Sequence, residues 1–112
     1  MSFTRGDIHW VKFPQRSPRG AELEKTRPCI IVSHKQASEY RKTVAVVPLT
    51  TGSKDAPPII ISLPSGGQNS KAVCDQILSV DKLRIGEKCG TLSAGDLAFF
   101  EDSLRAVLGL DM

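Results

Sequence analysis

The stretch Val44-Ala45-Val46-Val47-Pro48-Leu49 decides the fold, because every one of its side chains is apolar. A run of this length, rich in valine, is typical of a strand buried on both faces. Pro48 has no backbone N–H to donate to a ladder, so we expect it at an edge or near the end of the strand. The run Pro28-Cys29-Ile30-Ile31-Val32 has the same character and predicts another buried strand.

The segments around these two runs predict a mainly β chain. Alternating or continuous apolar positions predict further strands over residues 7–13, 58–63 and 72–78. The last of these would contain Asp75 and Gln76. Residues 14–26 are polar, basic and poor in apolar side chains, which predicts a long loop of the kind that often carries function. Residues 35–42 predict a turn or a single helical turn.

The C-terminal segment changes to the period of a helix. Ser93 is a good N-cap, Asp96 suits the positive end of the helix, and Leu92 can pack on the first turn. One helical face carries the apolar residues Leu97, Phe100, Leu104, Val107 and Leu108. Five or more short strands followed by a helix predict an α+β fold that is mainly β: a single domain over residues 1–112, built as a small closed or half-closed barrel with the helix packed on it.

Charge is distributed unevenly along the 112 residues. The formal net charge is +3, but residues 1–42 hold nine Lys/Arg against four Asp/Glu, and residues 43–112 hold six against eight. A basic half of this kind fits a polyanionic partner such as nucleic acid. It also fits an ordinary solvated surface, and charge alone leaves both interpretations open.

Several functional classes are excluded by what the chain lacks. No apolar run approaches the roughly 18 residues of a membrane span, and the first residues do not form a signal segment, so we expect a cytoplasmic protein without a membrane partner. Three cysteines without a Cys-x-x-Cys pair and only two histidines argue against disulfides and zinc. There is no glycine-rich phosphate loop and no Gly-x-Ser-x-Gly motif. We therefore expect no metal and no cofactor.

Polar residues placed beside buried strands are the remaining candidates for chemistry. Arg27 directly precedes one apolar run, where its planar fork would suit a phosphate, and Thr50 ends another. Asp75 lies in a segment that otherwise reads as an apolar strand and would need a partner. Structural roles are the alternatives: an ion pair of Arg27 with Glu22 or Glu24, a turn at Thr50, and an ion pair of Asp75 with Arg27 or Lys71.

Taken in order, several short motifs resemble the MazF/PemK/Kid family of toxins from toxin–antitoxin pairs. They are Arg5-Gly6-Asp7-Ile8, Gly20-x-Glu22, Arg27-Pro28, Val47-Pro48-Leu49-Thr50-Thr51, Asp75-Gln76, Ser79-Val80-Asp81-Lys82 and Gly90-Thr91-Leu92. The resemblance covers nearly the whole chain. It implies a small SH3-like β-barrel with a C-terminal helix, assembled as a homodimer, and a metal-independent endoribonuclease that cuts single-stranded RNA at short sequences.

The resemblance also implies roles for particular residues. Arg27 and Thr50 would form the catalytic pair, with Glu22 and Asp75 as accessory groups. Val73 occupies a position where one branch of the family has an arginine proposed as the general acid, so Arg27 would carry that burden here. We expect RNA contacts from Arg16, Arg19, Lys25, Thr51, Lys54, Lys71 and Gln76.

The implied protein partner is an acidic antitoxin similar to MazE or PemI. Two other functions remain open at this point. One is a CcdB-like toxin that binds gyrase without nuclease activity, although the ending Leu108-Gly109-Leu110-Asp111-Met112 lacks the Trp-Gly-Ile type of terminus that resembles that family. The other is a degenerate member that binds only antitoxin or RNA.

Overall fold

A computed structural model describes residues 2–16 and 22–110, with backbone alone for residues 14–16 and 22–24. Within these residues the strands are β1 Asp7–Arg16, β2 Glu22–Ile31, β3 Thr43–Thr50, β4 Ile60–Ser62, β5 Lys71–Val73, β6 Leu78–Asp81 and β7 Ile85–Thr91. The helices are α1 Lys35–Tyr40 and α2 Ala94–Leu108, and short 3₁₀ turns cover Pro64–Gly66 and Lys82–Arg84. No described helix is both long and apolar enough to cross a membrane.

The strands form one bent antiparallel sheet in the order β4-β5-β3-β2-β1-β7. The bend lies at β3, whose first half pairs with β6 and whose last two residues pair with β5. Pro48 pairs with Cys29 at the end of the β2–β3 ladder, as the missing N–H of proline predicted. The predicted barrel with a C-terminal helix is confirmed, although the pairing leaves β4 and β7 as unjoined edges.

The central strands are buried on both faces, which explains their continuous apolar runs. Ile30 belongs to a core cluster beneath α2, together with Phe100 and Leu104 of the helix. Its neighbours Cys29 and Ile31 belong to a second cluster on the opposite face. Alternating side chains of one strand therefore serve two cores, and neither face could carry a polar residue without cost.

Helix α2 follows its predicted pattern. The Ser93 hydroxyl accepts a hydrogen bond from the Asp96 N–H at 3.1 Å, and Gly109 ends the helix in the left-handed conformation with a φ of +68°. Phe100 is fully buried, whereas Leu108 is exposed and does not join the core. An ion pair of 3.1 Å between Arg5 and Glu101 ties the helix to the segment before β1.

The predicted long loop over residues 14–26 is wrong. β1 and β2 form a long hairpin whose register runs from Ile8 opposite Ile30 to Arg16 opposite Glu22. The pairing of the two strands is made by backbone groups, so it needs no apolar side chains, and the polar, basic composition of this stretch resembles that of a loop. The connection over residues 17–21 lies outside the described residues.

The predicted single strand over residues 72–78 is also wrong. The chain turns at Cys74 and Asp75, and the Gln76 N–H donates to the Val73 carbonyl at 3.0 Å. The turn is required because β5 and β6 pair with opposite ends of β3. Asp75 is consequently exposed and needs no ion-pair partner. Strand β7 was not predicted, because only Ile85 at its start and Gly90 near its end are partly buried.

Candidate functional site

A pocket of about 220 Å³ opens where the β2–β3 ladder ends. The last pair of that ladder is Cys29 with Pro48, and Arg27 and Thr50, each two residues beyond it, line the same pocket. The antiparallel pairing thus joins two residues that are far apart in the sequence. The pocket is lined by Lys25, Arg27, Pro28, Leu49, Thr50, Thr51 and Ser70.

A second depression, of about 440 Å³, adjoins Arg27 from the other side. Its remaining walls are Phe13, Pro48, Gln76 and Leu78. Arg27 lines both pockets: it shares the first with Thr50, Thr51 and Ser70, and the second with the side chains of Phe13, Leu78 and Gln76. This arrangement can hold a phosphate beside a flat apolar group such as a nucleobase.

The site is electropositive. Arg27 is partly exposed, and no carboxylate among the described side chains lies within ion-pairing distance of it. Lys25 adds a second exposed cation to the same pocket. The described residues contain no cluster of three or more His, Cys, Asp and Glu side chains that could hold a metal ion. The pocket is therefore suited to bind an anion directly.

Thr50 contributes a hydroxyl group whose own hydrogen bond within the protein is weak. Its Oγ1 donates to the Thr51 carbonyl at 3.3 Å, which is long for an O–H···O hydrogen bond. A ligand oxygen in the pocket could replace that acceptor at little cost. Thr51 is exposed beside it, and Lys54 is exposed three residues further along the same loop.

Lys71 lies next to Thr50 in the sheet but its ammonium is already occupied. Its backbone pairs with Thr50, while its Nζ lies 2.6 Å from Asp55 Oδ1 and 2.6 Å from Ser62 Oγ. The hydrogen bond from Lys71 lowers the pKa of the Asp55 carboxyl, and the hydrogen bond from Ser62 adds to this effect. In this conformation Lys71 holds the loop after β3 in place and does not face the pocket.

Asp75 lines neither pocket beside Arg27, and the side chain of Glu22 lies outside the described part of the structure. Asp75 is exposed in its turn, although the next residue, Gln76, does line the second pocket. Glu22 stands at the start of β2, five residues from Arg27, which is about 17 Å along a strand. Of the other predicted RNA contacts, Arg16 lies opposite Glu22 in the hairpin, and Arg19 lies outside the described residues.

Ser70 and Phe13 are polar and aromatic lining residues that were not predicted as part of the site. Ser70 reaches the first pocket because it immediately precedes Lys71, the partner of Thr50 in the sheet. Phe13 reaches the second pocket because β1 pairs with the part of β2 that carries Lys25 and Arg27. The pairing of Phe13 with Lys25 was hidden by the assumption that residues 14–26 form a loop.

The chain and its fold are similar to a known class of proteins. Residues 4–108 match the profile of the family described as PemK-like, MazF-like toxins of type II toxin–antitoxin systems. The chain therefore belongs to that family, as its motifs indicated.

Individual relatives of the chain are named as MazF endoribonucleases. The chain is 30% identical over 115 residues to the endoribonuclease MazF9 of Mycobacterium tuberculosis, covering 95% of this chain and 96% of the relative. It is 28% identical to the endoribonuclease MazF of Staphylococcus epidermidis, covering 96% and 92%.

Solved structures of low sequence identity share the fold. A MazE–MazF complex from Deinococcus radiodurans superposes with a TM-score of 0.80 at 23% identity, over 99% of both chains. A mycobacterial endoribonuclease in complex with its cognate antitoxin superposes with a TM-score of 0.78 at 19% identity, again over 99% of both chains.

Proposed function

We propose that this toxin is a metal-independent endoribonuclease that cuts single-stranded RNA in the cytoplasm and thereby stops translation and growth. The observation that carries the proposal is that Arg27 and Thr50 line one pocket together with a second cation, Lys25. The family to which the chain belongs supports it, and so do the relatives that are named endoribonucleases.

Such a site can use the RNA as its own source of nucleophile. The 2′-oxygen, losing its proton, attacks the adjacent phosphorus, and the bond from phosphorus to the 5′-oxygen of the next nucleotide breaks. The products are a 2′,3′-cyclic phosphate and a 5′-hydroxyl end, with one proton taken from the 2′-hydroxyl and one given to the leaving oxygen. The protein has to place the reacting groups, stabilise the extra negative charge on the phosphorane and help these two proton transfers.

Arg27 and Thr50 suit the stabilisation of charge. The guanidinium donates in a rigid fork that matches two phosphoryl oxygens, and the Thr50 hydroxyl can add a third hydrogen bond from the facing strand. Arginine is a poor acid at neutral pH, so its main contribution is to the phosphorane. Lys25 at the same pocket adds attraction for the RNA backbone.

We assign removal of the 2′-hydroxyl proton to Asp75, and the leaving 5′-oxygen takes its proton from a solvent water, because Arg27 is too weak an acid to supply it. It is exposed beside Gln76, whose side chain shares the second pocket with Arg27. Glu22 would have to approach by bending the β1–β2 hairpin. Val73, where one branch of the family has an arginine, is a partly buried residue of β5 and adds no proton donor. Phe13 and Gln76 can contact the neighbouring base by stacking and hydrogen bonding, which would contribute to sequence specificity.

The chemistry of the products tests this proposal. Incubated with a long single-stranded RNA, the protein should leave 2′,3′-cyclic phosphate and 5′-hydroxyl ends. An RNA of the same sequence that is 2′-O-methylated throughout should bind but stay intact, because it has no 2′-hydroxyl nucleophile. Cleavage of the methylated RNA, or products with 5′-phosphate ends, would contradict the mechanism.

The proposed protein partner is an acidic antitoxin whose flexible tail occupies the same surface as RNA. Arg16, Arg19, Lys25 and Arg27 fall within twelve positions, and the two described side chains of this set, Lys25 and Arg27, both line the first pocket. Aspartate and glutamate side chains of a disordered tail can replace RNA phosphates there.

Replacing Arg16, Arg19 and Lys25 together with serine tests the shared surface. Both RNA binding and antitoxin binding should weaken, and both should depend less steeply on salt. A matched variant that removes Lys35, Lys88 and Arg105 loses the same charge at other places and should change both much less. If the first variant keeps both affinities and both salt dependences, the antitoxin docks elsewhere.

A further inference from the structure

The start of β3 carries a second basic surface, whose residues line neither of the two depressions beside Arg27. It combines exposed hydrophobic side chains with basic ones. Tyr40 is 84% exposed and Leu83 is 93% exposed, which is unusual for side chains of their size. We call this surface the basic platform, and it consists of Tyr40, Arg41, Lys42, Lys82, Leu83 and Arg84.

The basic platform is grooved. One depression of about 280 Å³ is lined by Tyr40, Arg41, Lys42 and Thr43. A second, of about 430 Å³, is lined by Arg41, Lys42, Asp81, Lys82 and Leu83. Because Arg41 and Lys42 line both, the two depressions are adjacent, with these two basic residues between them.

Backbone pairing holds the basic platform in shape. Thr43 pairs with Asp81, and the Lys82 N–H donates to the Lys42 carbonyl at 2.9 Å. The Asp81 carboxylate accepts the Leu83 N–H at 2.8 Å. A surface that is already ordered loses little conformational entropy when it binds a ligand.

Helix α1, which ends at Tyr40, is anchored to the N-terminal segment. The buried Ser38 hydroxyl accepts the Phe3 N–H at 2.8 Å and lies 3.1 Å from the Phe3 carbonyl, to which it can donate. Tyr40 is therefore presented to solvent from a fixed support, as a stacking residue has to be.

The charges of Arg41, Lys42 and Arg84 are open to a ligand. Within the described part of the chain, no carboxylate lies within 4.0 Å of the basic groups of Arg41, Lys42 or Arg84. The nearest acidic residues in sequence are Glu39 and Asp81, and the Asp81 carboxylate is engaged by the Leu83 N–H. Exposed cations next to an exposed aromatic ring are the pattern that tracks a single-stranded nucleic acid, with phosphates on the cations and a base on the ring.

We propose that the basic platform binds a flanking segment of single-stranded RNA, outside the segment held in the Arg27 pocket. This inference rests on the proposed function, because it concerns the same RNA. Strand β3 links the two surfaces directly: Thr43 begins it at the basic platform and Thr50 ends it at the pocket, seven residue steps apart. That separation is at most about 23 Å, within the reach of the roughly 4–16 nucleotides that small barrels bind.

An RNA-binding measurement with RNA that cannot be cleaved tests whether the basic platform binds RNA. The probe is a 2′-O-methylated RNA of about 20 nucleotides, compared with one of about 6 nucleotides. In the variant Arg41→Ser/Lys42→Ser, affinity for the long RNA should fall about 10-fold, and its salt slope should flatten by about 1. Affinity for the short RNA should stay within about 2-fold. The variant Lys88→Ser/Arg105→Ser removes two exposed cations elsewhere and should leave the long RNA within about 2-fold.

The variant Tyr40→Leu tests the stacking separately, and it keeps an apolar side chain at an exposed position. It should weaken binding of the long RNA by about 5-fold or more and leave the salt slope unchanged, as expected for loss of base stacking. If both variants bind the long RNA as the wild type does, the proposal is wrong. It is equally wrong if they lose affinity only for a peptide rich in Asp and Glu, since the basic platform would then dock an acidic protein.

Cleavage distinguishes this inference from the proposed function on which it rests. If the wild type cuts a long unmodified RNA and Arg41→Ser/Lys42→Ser cuts it several-fold more slowly at low RNA concentration, both stand. If the two proteins cut it equally, the platform proposal fails and the nuclease remains. If the wild type cuts no RNA, the proposed function fails, and the methylated RNA still decides whether the basic platform binds.

Discussion

Arg27 occupies the junction of two pockets, and its position is fixed by the strand that it leads into. The residues that follow it, Cys29 to Ile31, are fully buried, so the backbone at its base cannot move freely. The side chain remains partly exposed and lines both depressions. This combination of a held backbone and a reachable guanidinium is what charge stabilisation at a phosphate requires.

Thr50 is expected to contribute through its hydroxyl alone. The variant Thr50→Val keeps the β-branched shape but removes the donor, so the rate of RNA cleavage should fall by about 10²-fold while the fold stays intact. Thr4→Val, at an exposed threonine in the segment before β1, is the control and should change the rate by less than about 2-fold. Equal rates for the wild type and Thr50→Val would remove Thr50 from the mechanism.

The buried thiols predict a loss of stability in alkali. Burial raises the pKa of Cys29 to about 12 and that of Cys74 to about 11. Unfolded thiols ionise near pH 8.5, so above that pH the unfolded chain loses protons that the folded chain keeps, and unfolding becomes more favourable as the pH rises. Urea unfolding in reductant at pH 7.5 and 10.5 measures the effect.

The variant Cys29→Ala/Cys74→Ala is the comparison for that experiment. It lacks both buried thiols, so its free energy of unfolding should fall less between the two pH values than that of the wild type. Identical pH dependences would show that these thiols do not govern the alkaline limit.

Among the elements, α2 closes one core and should be the most sensitive to truncation. Leu104 is buried in the cluster that also contains Ile8, Ile30 and Phe100. Leu104→Ala should lower the free energy of unfolding by about 2–5 kcal/mol, because it removes buried surface and leaves a cavity. Leu83→Ala, at a leucine 93% exposed, should cost less than about 0.5 kcal/mol. Similar losses in both variants, measured by urea unfolding, would contradict the described packing of α2.

Elements whose side chains are buried could be predicted from the sequence, and exposed ones could not. The runs around Ile30 and Val46 have to be apolar because both of their faces are covered, and α2 shows the period of a helix because one face is covered. The hairpin arm beyond Phe13 and strand β7 are joined to the sheet by backbone pairing. Amino-acid composition reveals little about such pairing. The turn at Asp75 depends on two strands pairing with opposite ends of β3, which no local pattern encodes.

The same distinction applies to the site. Arg27 and Thr50 each border a buried run, but their joint role was implied by the family resemblance, and the structure brings them to one pocket. Ser70 and Phe13 join them only through pairings between distant strands, so neither carries a local signal. The ion pair of Lys71 with Asp55 likewise depends on how the loop after β3 folds back.

For the whole molecule, the expected assembly is a homodimer. The surface offers apolar area for it: Trp10 on β1 and Phe99 and Leu108 on α2 are all substantially exposed. Sedimentation at micromolar concentration should therefore report about twice the 12.2 kDa of a single chain. A single species of 12.2 kDa under those conditions would contradict the dimer.

The central claim is that the protein cleaves RNA without a metal and depends on Arg27 to do so. The rate of RNA cleavage in excess EDTA tests this claim most directly. The wild type should cut single-stranded RNA in EDTA as fast as it does with added Mg²⁺. Arg27→Ala should be slower by about 10²-fold or more, while Arg105→Ala, at an exposed arginine of α2, should match the wild type. Activity that appears only with added divalent metal, or that survives in Arg27→Ala, would contradict the account.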